Sequence, residues 1–177
     1  MLDGLSIRAA DEADLVAITA IYRDAVLHGT GTFEVTPPDV AEMAARHAKI
    51  VGAGYPFLVA ADAGGVHGYA YASAFRERSA YRFTVEDSVY VAASARRRGV
   101  GRILLDALVA QAAAAGFRQM VALIGDSGNA GSIALHARCG FAHSGILSAA
   151  GWKHDRWLDV VLMQRALADG EIPGQRD

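Results

Sequence analysis

The sequence has little cysteine, little excess charge and no long apolar run. Its one cysteine, Cys139, allows no intramolecular disulfide and no cysteine-rich metal cage. Seventeen basic residues against 19 acidic ones leave a net charge of -2, which argues against a general nucleic-acid-binding protein. No apolar stretch reaches the roughly 18 residues of a membrane span, and residues 1–14 do not resemble a signal peptide. We therefore expect a cytoplasmic protein with no nucleic-acid or membrane partner.

The composition is that of a folded domain. Hydrophobic residues make up 53% of the chain and charged residues 20%, so disorder is disfavoured. A length of 177 residues suits one domain. We expect this domain to span residues 1–167 and to be followed by a loose tail over 168–177, where Gly170, Pro173 and Gly174 occur among alternating charges.

The periodicity of apolar residues predicts a mixed α/β fold. Asp11 is a candidate cap for a first helix, and the segment Thr36-Pro37-Pro38 is typical of a second helix start. A third helix runs from Val100 and closes at Gly116, and a fourth spans 130–138. Five strands are predicted, at 57–60, 66–75, 88–91, 120–124 and 157–164. The order α-α-β-β-β-α-β-α-β predicts a mixed sheet covered by helices.

A glycine-rich turn between a strand and a helix is the most informative segment. The strand Val89-Tyr90-Val91 is followed after a short connector by Arg96-Arg97-Arg98-Gly99-Val100-Gly101, which opens the third helix. Unpaired N–H groups and the positive helix end at such a turn favour a phosphate, and the arginines add charge. The segment lacks the Gly-Lys-Ser/Thr ending of a nucleotide loop and the third glycine of a dinucleotide fingerprint. From these residues alone, an ordinary solvated basic turn remains an open alternative.

Two segments together resemble the GNAT superfamily of acyl-CoA N-acyltransferases. Arg96-x-x-Gly99-x-Gly101 after a Val-x-Val strand is similar to the coenzyme A pyrophosphate motif of that family. The segment Asn129-x-x-Ser132-x-x-Leu135-His136-x-x-x-Gly140-Phe141 is similar to its downstream coenzyme-binding segment. The resemblance covers residues 5–166. It implies a central mixed sheet that splays where acetyl-CoA inserts, flanked by helices.

Within the superfamily the chain most resembles the phosphinothricin and methionine sulfoximine N-acetyltransferases. The residues that carry this likeness are Ala80-Tyr81, Thr84-x-Glu86, Ala149-Ala150-Gly151-Trp152-Lys153-His154 and Trp157-x-Asp159. The likeness implies an enzyme that moves the acetyl group of acetyl-CoA, its co-substrate, to the amine of a small amino acid, and commonly a homodimer.

The resemblance also implies roles for individual residues. Glu86 resembles the general base, because a carboxylate there can take the ammonium proton of the acceptor. Asp87 points to the other face of the strand and ranks lower. The coenzyme is expected to contact the Val89-Tyr90-Val91 strand, the turn from Arg96 to Gly101, Asn129 and Ser132. His136 stands where many members have a proton-donating tyrosine, and it is either that acid or a residue that orients the coenzyme or packs under the helix.

Four residues are candidates for acceptor binding. Arg76, Arg78 and Tyr81 precede Glu86 closely, and two cations suit an acceptor with a carboxylate and a second anionic or polar group. Phe33 resembles the apolar wall of the acceptor pocket. The alternatives are a solvated Arg-Glu-Arg loop and an ordinary core aromatic.

Three functions remain open from the sequence. The leading one is an amino-acid N-acetyltransferase, and a second is an acetyltransferase for protein N-termini or other amines. The third is a non-catalytic acyl-CoA sensor, which needs the coenzyme motifs but no base at Glu86. The histidines show no paired spacing, so we expect no metal site.

Overall fold

A seven-stranded mixed sheet forms the centre of the structure, a computed structural model that describes residues 4–167. The strands are β1 (Ser6–Ala9), β2 (Phe57–Asp62), β3 (Gly65–Ala74), β4 (Thr84–Val91), β5 (Gln119–Gly125), β6 (Ala142–Lys153) and β7 (Arg156–Ala166). The helices are α1 (Leu15–His28), α2 (Val40–Gly52), α3 (Val100–Ala114) and α4 (Ala130–Arg138). The sheet order is β1-β2-β3-β4-β5-β7-β6. All neighbours pair antiparallel except β4 and β5, which are parallel.

Helices cover both faces of the sheet and bury two apolar cores. The apolar stripe of α3 packs against one face, where Leu104 and Leu108 are fully buried. Burial of such a side chain contributes about 1.5–3 kcal/mol relative to exposure. Helices α1 and α2 contribute Ile18 and Met43 to the core on the opposite face, together with Tyr69 of β3. The mixed α/β class predicted from the sequence is confirmed.

The helix boundaries follow the predicted signals with one shift. Asp11 and Asp14 form a reciprocal capping box around a short 3-10 turn that leads into α1. The cap of α2 is Asp39, whose side chain accepts from the N–H of Glu42 at 2.8 Å, so the helix begins after the 36–38 segment. Gly116 follows α3 with φ of 94°, as the left-handed cap requires.

Two strands were missed by the periodicity. β1 has only four residues, too few to show an alternating pattern. β6 is rich in alanine, glycine and serine, which have low strand propensity, and nearly all of its residues are exposed because it is the last strand of the sheet. The third predicted strand was also placed too late, because β4 begins at Thr84 and not at Ser88.

Among residues 4–167, no helix combines the length and the apolar character needed to cross a bilayer. The tail expected over 168–177 lies outside the described residues.

Candidate active site

The parallel pairing of β4 with β5 covers only the first three of the eight residues of β4. Its last paired residues are Glu86 and Val121, and beyond them the two strands separate. The gap opens into a cavity of about 1410 Å³, which we call the cleft. This volume exceeds the roughly 300–1,000 Å³ of ordinary small-molecule sites, so an extended ligand fits. The splayed sheet expected from the sequence is confirmed.

Strand β4 presents main-chain donors to the cleft. The N–H of Ala92 donates to His67 on β3 at 2.9 Å. Alternate residues of an antiparallel strand bond to the same neighbour, so Val89 and Val91 direct their N–H groups away from β3 and toward the cleft. The ring of Tyr90 packs among Tyr22 and Tyr69 on the other side. Tyr90 therefore offers the cleft its main chain and not its phenol.

The turn over residues 96–101, here called the glycine turn, lines the cleft at the N-terminus of α3. Arg97 and Gly99 adopt left-handed φ values of 60° and 90°. Val100 and Gly101 begin the helix, so their N–H groups have no intrahelical partner. A Cβ on Gly101 would approach Leu135 of α4 to 3.2 Å. The turn thus combines free donors with a positive helix end, a combination that binds anions.

The three arginines of the glycine turn differ in their surroundings. Arg96 donates to the carbonyl of Val91 at 3.3 Å and pairs with Asp24 of α1 at 3.1 Å, so its guanidinium is already engaged. Arg97 lines the cleft and is exposed. Arg98 is exposed and lies outside the cleft lining. Of the three, Arg97 is the side chain best placed to meet a phosphate.

Helix α4 forms the opposite wall. Asn129 caps it by accepting from the N–H of Ser132 at 3.2 Å, and its amide nitrogen lies 3.4 Å from the carbonyl of Gly125. Both Asn129 and Ser132 line the cleft. The side chain of Asn129 already makes these two hydrogen bonds. A ligand at this wall therefore meets the N-terminus of α4 as well as the side chains of Asn129 and Ser132.

His136, on the inner side of α4, has hydrogen-bond partners at both ring nitrogens. Its Nε2 lies 3.0 Å from Oδ2 of Asp87, and its Nδ1 lies 2.8 Å from the carbonyl oxygen of Ser132. Burial lowers the pKa of His136, but the hydrogen bond and charge of Asp87 and the Ser132 carbonyl outweigh it, and the net pKa is raised. This arrangement favours an orienting role over direct proton donation.

Glu86 lies at the root of the cleft, at the last paired position of β4. Its side chain is 28% exposed. Burial raises the pKa of Glu86, the charge of Arg76 opposes this, and the charge of Asp87 adds to it, with a net rise. A carboxylate with a raised pKa is a stronger base, as the removal of a proton from an ammonium group requires.

The loop before β4 brings one of its two candidate arginines to Glu86. Nη1 of Arg76 lies 3.9 Å from Oε2 of Glu86, and its guanidinium stacks over Phe75. Neither arginine is part of the cleft lining, and Arg78 is exposed. Tyr81 packs edge-on against Phe75 and lines a separate cavity of about 300 Å³ with Val121. The contacts therefore favour Arg76 over Arg78 as a neighbour of a bound acceptor.

Phe33 belongs to a loop, residues 29–33, that lines the cleft and is fastened to the β6–β7 hairpin. A Cβ on Gly151 would meet the Phe33 ring at 2.3 Å, so only glycine fits there. The buried Nζ of Lys153 donates to the carbonyl of Thr32 at 2.7 Å. His154 is hydrogen bonded to the carbonyl of Gly29 at 3.1 Å. These contacts could not be predicted from the sequence, because more than 100 residues separate the two segments.

Within the described residues, no three His, Cys, Asp or Glu side chains are grouped in a way that would hold a metal ion. Cys139 is buried, and burial raises the pKa of its thiol to about 12, so it has no thiolate character near neutrality.

Two known proteins resemble this chain in sequence. The chain is 52% identical over 166 residues to a phosphinothricin N-acetyltransferase of Alcaligenes faecalis, covering 94% of this chain and 84% of that protein. It is 48% identical over 160 residues to an L-methionine sulfoximine/L-methionine sulfone acetyltransferase of Pseudomonas paraeruginosa, covering 90% of this chain and 92% of that protein.

A solved structure agrees with the sequence relatives. The crystal structure of a GNAT superfamily phosphinothricin acetyltransferase from Sinorhizobium meliloti, in complex with AcCoA, matches with a TM-score of 0.90. The identity is 53%, over 94% of this chain and 90% of that one. A family model described as the acetyltransferase (GNAT) family matches residues 15–141, which contain β4, the glycine turn and α4. This chain is therefore a member of the acetyltransferase (GNAT) family.

Proposed function

We propose that the protein transfers the acetyl group of acetyl-CoA to the amine of a small amino-acid-like acceptor, such as phosphinothricin, methionine sulfoximine or methionine sulfone. The observation that carries the proposal is the cleft itself. Two features line this one cavity. The first is Glu86 on β4, a carboxylate with a raised pKa, and the second is the anion-binding start of α3, from Gly99 to Gly101. Relatives at 52% and 48% identity bear the names of enzymes for these acceptors.

The coenzyme is assigned to the part of the cleft that is lined by the end of β4, the glycine turn and the start of α4. Its pyrophosphate suits the N–H groups of Val100 and Gly101 and the side chain of Arg97. Its pantetheine arm suits the N–H groups of Val89 and Val91, which β5 leaves free, and the wall formed by Asn129 and Ser132. The fit rests on groups of this chain that have the right polarity and that face one continuous cavity.

Glu86 is assigned as the base. Amino-acid ammonium groups are protonated near neutrality, so the acceptor nitrogen must lose a proton before it attacks the thioester carbonyl. Glu86 takes that proton directly or through water. The N–H of Val89 lies on the cleft side of the same strand and is suited to stabilise the carbonyl oxygen as negative charge develops on it.

Arg76 is assigned to the acceptor carboxylate. Its guanidinium is more than half exposed and is held near Glu86 by stacking on Phe75. A carboxylate bound by Arg76 would place the neighbouring amine close to the base. Phe33 supplies an apolar wall on the side of the 29–33 loop.

We also propose that the protein acts as a cytoplasmic homodimer. Four large apolar side chains are exposed on β6 and β7, namely Ile146 and Leu147, which point to opposite faces of β6, and Trp152 and Trp157; we call this exposed part of the two strands the β6–β7 apolar surface. β6 is also an end strand of the sheet, with an edge free to pair within the described residues. A second copy would cover both features at once. The cytoplasmic location rests on the single cysteine, which allows no intramolecular disulfide.

The replacement Glu86→Gln tests the assignment of the base. It keeps the shape of the side chain but removes its basicity, so we expect kcat at pH 7 to fall by about 10² to 10⁴. Affinity for acetyl-CoA should barely change. The loss should shrink as pH rises, because more acceptor is already deprotonated. Thiol release from acetyl-CoA, measured against a panel of amino acids that includes the three acceptors named above, gives the rates.

Glu77→Gln is the matched control, since Glu77 is an exposed carboxylate in the neighbouring loop. A wild-type protein that binds acetyl-CoA but releases no thiol with any amine would indicate the sensor function. Parallel pH profiles for wild type and Glu86→Gln would remove Glu86 from the mechanism.

A further inference from the structure

A buried ion pair spans the gap between the two halves of the sheet. The ladder between β4 and β5 ends at Glu86, and the next residue, Asp87, reaches across to α4 instead. Oδ2 of Asp87 lies 3.0 Å from Nε2 of His136, and the two side chains are 2% and 5% exposed. β4 belongs to the half of the sheet formed by β1 to β4, while α4 follows β5 in the other half.

The partners of the ring indicate its protonation state. Nδ1 of His136 lies 2.8 Å from the carbonyl oxygen of Ser132 and 3.4 Å from its hydroxyl, and the shorter contact, to a group that only accepts, assigns hydrogen to Nδ1. With Asp87 ionised, its Oδ2 also only accepts, so Nε2 carries hydrogen as well. A ring with two N–H groups is an imidazolium. The second oxygen, Oδ1 of Asp87, is buried without a partner among residues 4–167, so His136 alone offsets the charge of Asp87 there.

No other charge among the described residues replaces Asp87 as the partner of His136. The residues of β5 are uncharged, and the ring of Phe141 packs edge-on against the imidazole at 5.1 Å. The remaining charged side chains on the neighbouring elements are directed elsewhere: Glu86 lies on the other face of β4, Arg102 and Asp106 of α3 pair with each other at the surface, Arg138 of α4 is exposed, and Arg165 of β7 donates to the carbonyl of Cys139.

On the basis of the proposed acetyltransferase function, we propose that Asp87 is a positioning residue: it keeps His136 cationic and thereby fixes α4 against β4 at the root of the cleft. Asn129 and Ser132, which face the cleft, stand on the first turn of the same helix. The ion pair replaces the strand pairing that is lost where the sheet splays. It therefore sets the width of the cleft where the thioester and the acceptor amine must meet.

Titration of the histidine ring by NMR tests the proposal without any ligand. The six histidines of the chain are resolved by their ring nitrogens, and His136 is assigned from the spectrum of His136→Gln. In the wild type, the His136 ring should titrate above about 6.5, the ordinary value for histidine. In Asp87→Asn the same ring should titrate below about 6.5, because burial then acts without a counter-ion. A wild-type ring that titrates at or below the ordinary histidine value, or no higher than the ring in Asp87→Asn, overturns the proposal.

Kinetics separate the action of Asp87 through His136 from an action on Glu86. We expect Asp87→Asn to lower kcat by about 10- to 100-fold, since a small misplacement in a cleft costs that much. Asp87→Glu, which keeps the charge, should restore most of the rate. The effect of Asp87→Asn should largely vanish in a His136→Gln background, because the two residues form one unit.

Fully additive losses in the double variant would contradict the proposal. If wild type turns over no acceptor, the proposed function fails, whereas the titration of His136 in wild type and in Asp87→Asn still decides whether Asp87 keeps the ring cationic.

Discussion

At the scale of single residues, the environment of Glu86 decides how strong a base it is. Burial raises the pKa of Glu86, Arg76 opposes that effect from 3.9 Å, and Asp87 adds to it from the neighbouring position. The pH below which the base is lost by protonation is therefore set by residues that the substrate need not touch. This makes the acidic limb of the rate profile a direct report on the site.

Arg76→Ala should move that acidic limb to higher pH. Removal of the guanidinium takes away the charge that lowers the pKa of Glu86, so the carboxylate is protonated at a higher pH than in the wild type. The pH profile of kcat/KM for the acceptor, which reports the pKa in the free enzyme, measures the shift. Arg82→Ala is the control, because Arg82 lies in the same loop but stacks on Phe83. A limb that stays in place would show that Arg76 does not act on Glu86.

The buried side chain of Lys153 makes one of the two hydrogen bonds between the β6–β7 hairpin and the 29–33 loop. Burial lowers the pKa of Lys153, while the charge of Glu34 partly opposes this. Lys153→Met should release Thr32 and with it Phe33, so KM for the acceptor should rise about 10-fold while KM for acetyl-CoA stays nearly constant. The only other lysine, Lys49, is exposed on α2, and Lys49→Met is the matched control. An equal rise in both KM values would show instead that Lys153 supports the fold in general and not the acceptor site in particular.

At the scale of elements, a glycine with left-handed φ flanks each end of helix α3, and the two glycines have different roles. Gly99 stands before its first residue with φ of 90°, and Gly116 follows its end with φ of 94°. The first shapes the glycine turn and the second only closes the helix. The two positions carry the same backbone strain on substitution, so the contrast between them isolates the contribution of the turn.

Gly99→Ala should weaken acetyl-CoA binding, whereas Gly116→Ala should not. Each replacement forces alanine into the left-handed region and costs about 1–2 kcal/mol of stability. Only the first also displaces the N–H groups of Val100 and Gly101. Calorimetric titration with acetyl-CoA and thermal unfolding of both variants test this. If both variants lose stability and neither loses affinity, the coenzyme is not held by this turn.

At the scale of the whole molecule, the exposed β6–β7 apolar surface lies next to residues that hold the 29–33 loop of the cleft. Trp152 and Trp157 are 56% and 61% exposed and contact each other edge to face. Gly151 and Lys153, their neighbours on β6, hold the 29–33 loop. A second copy seated on this surface would therefore also steady the wall of the acceptor pocket.

The proposed dimer should dissociate on Leu147→Glu, because a charge would then lie within the β6–β7 apolar surface. Sedimentation should give twice the 18.6 kDa of the chain for the wild type and the single mass for the variant. Both tryptophans of the chain lie on this surface, so their emission should shift to longer wavelength in the variant. Val16→Glu, at an exposed apolar position on α1, should change neither. A wild type that is monomeric at all concentrations would refute the dimer.

The sequence alone determined the local features of the site. The glycine turn and the helix that it opens are contiguous segments, and their chemistry follows from neighbours within a few residues. The class of fold and the family resemblance were predicted for the same reason, since periodicity and motifs are local properties. Glu86 was predicted as a candidate base from the family resemblance, although the predicted strand began only at Ser88, and its assignment stays a prediction.

Only the tertiary structure decided which residues meet across the sheet. The pairing of Asp87 with His136 joins positions 49 residues apart, and Lys153 reaches Thr32 across 121 residues. Such contacts depend on strand order and on the point where β4 leaves β5, which no local pattern encodes. The charge state of a buried side chain follows from these contacts, because burial and counter-ions come from distant segments. For this reason the sequence ranked Asp87 below Glu86, while the fold places it at the root of the cleft.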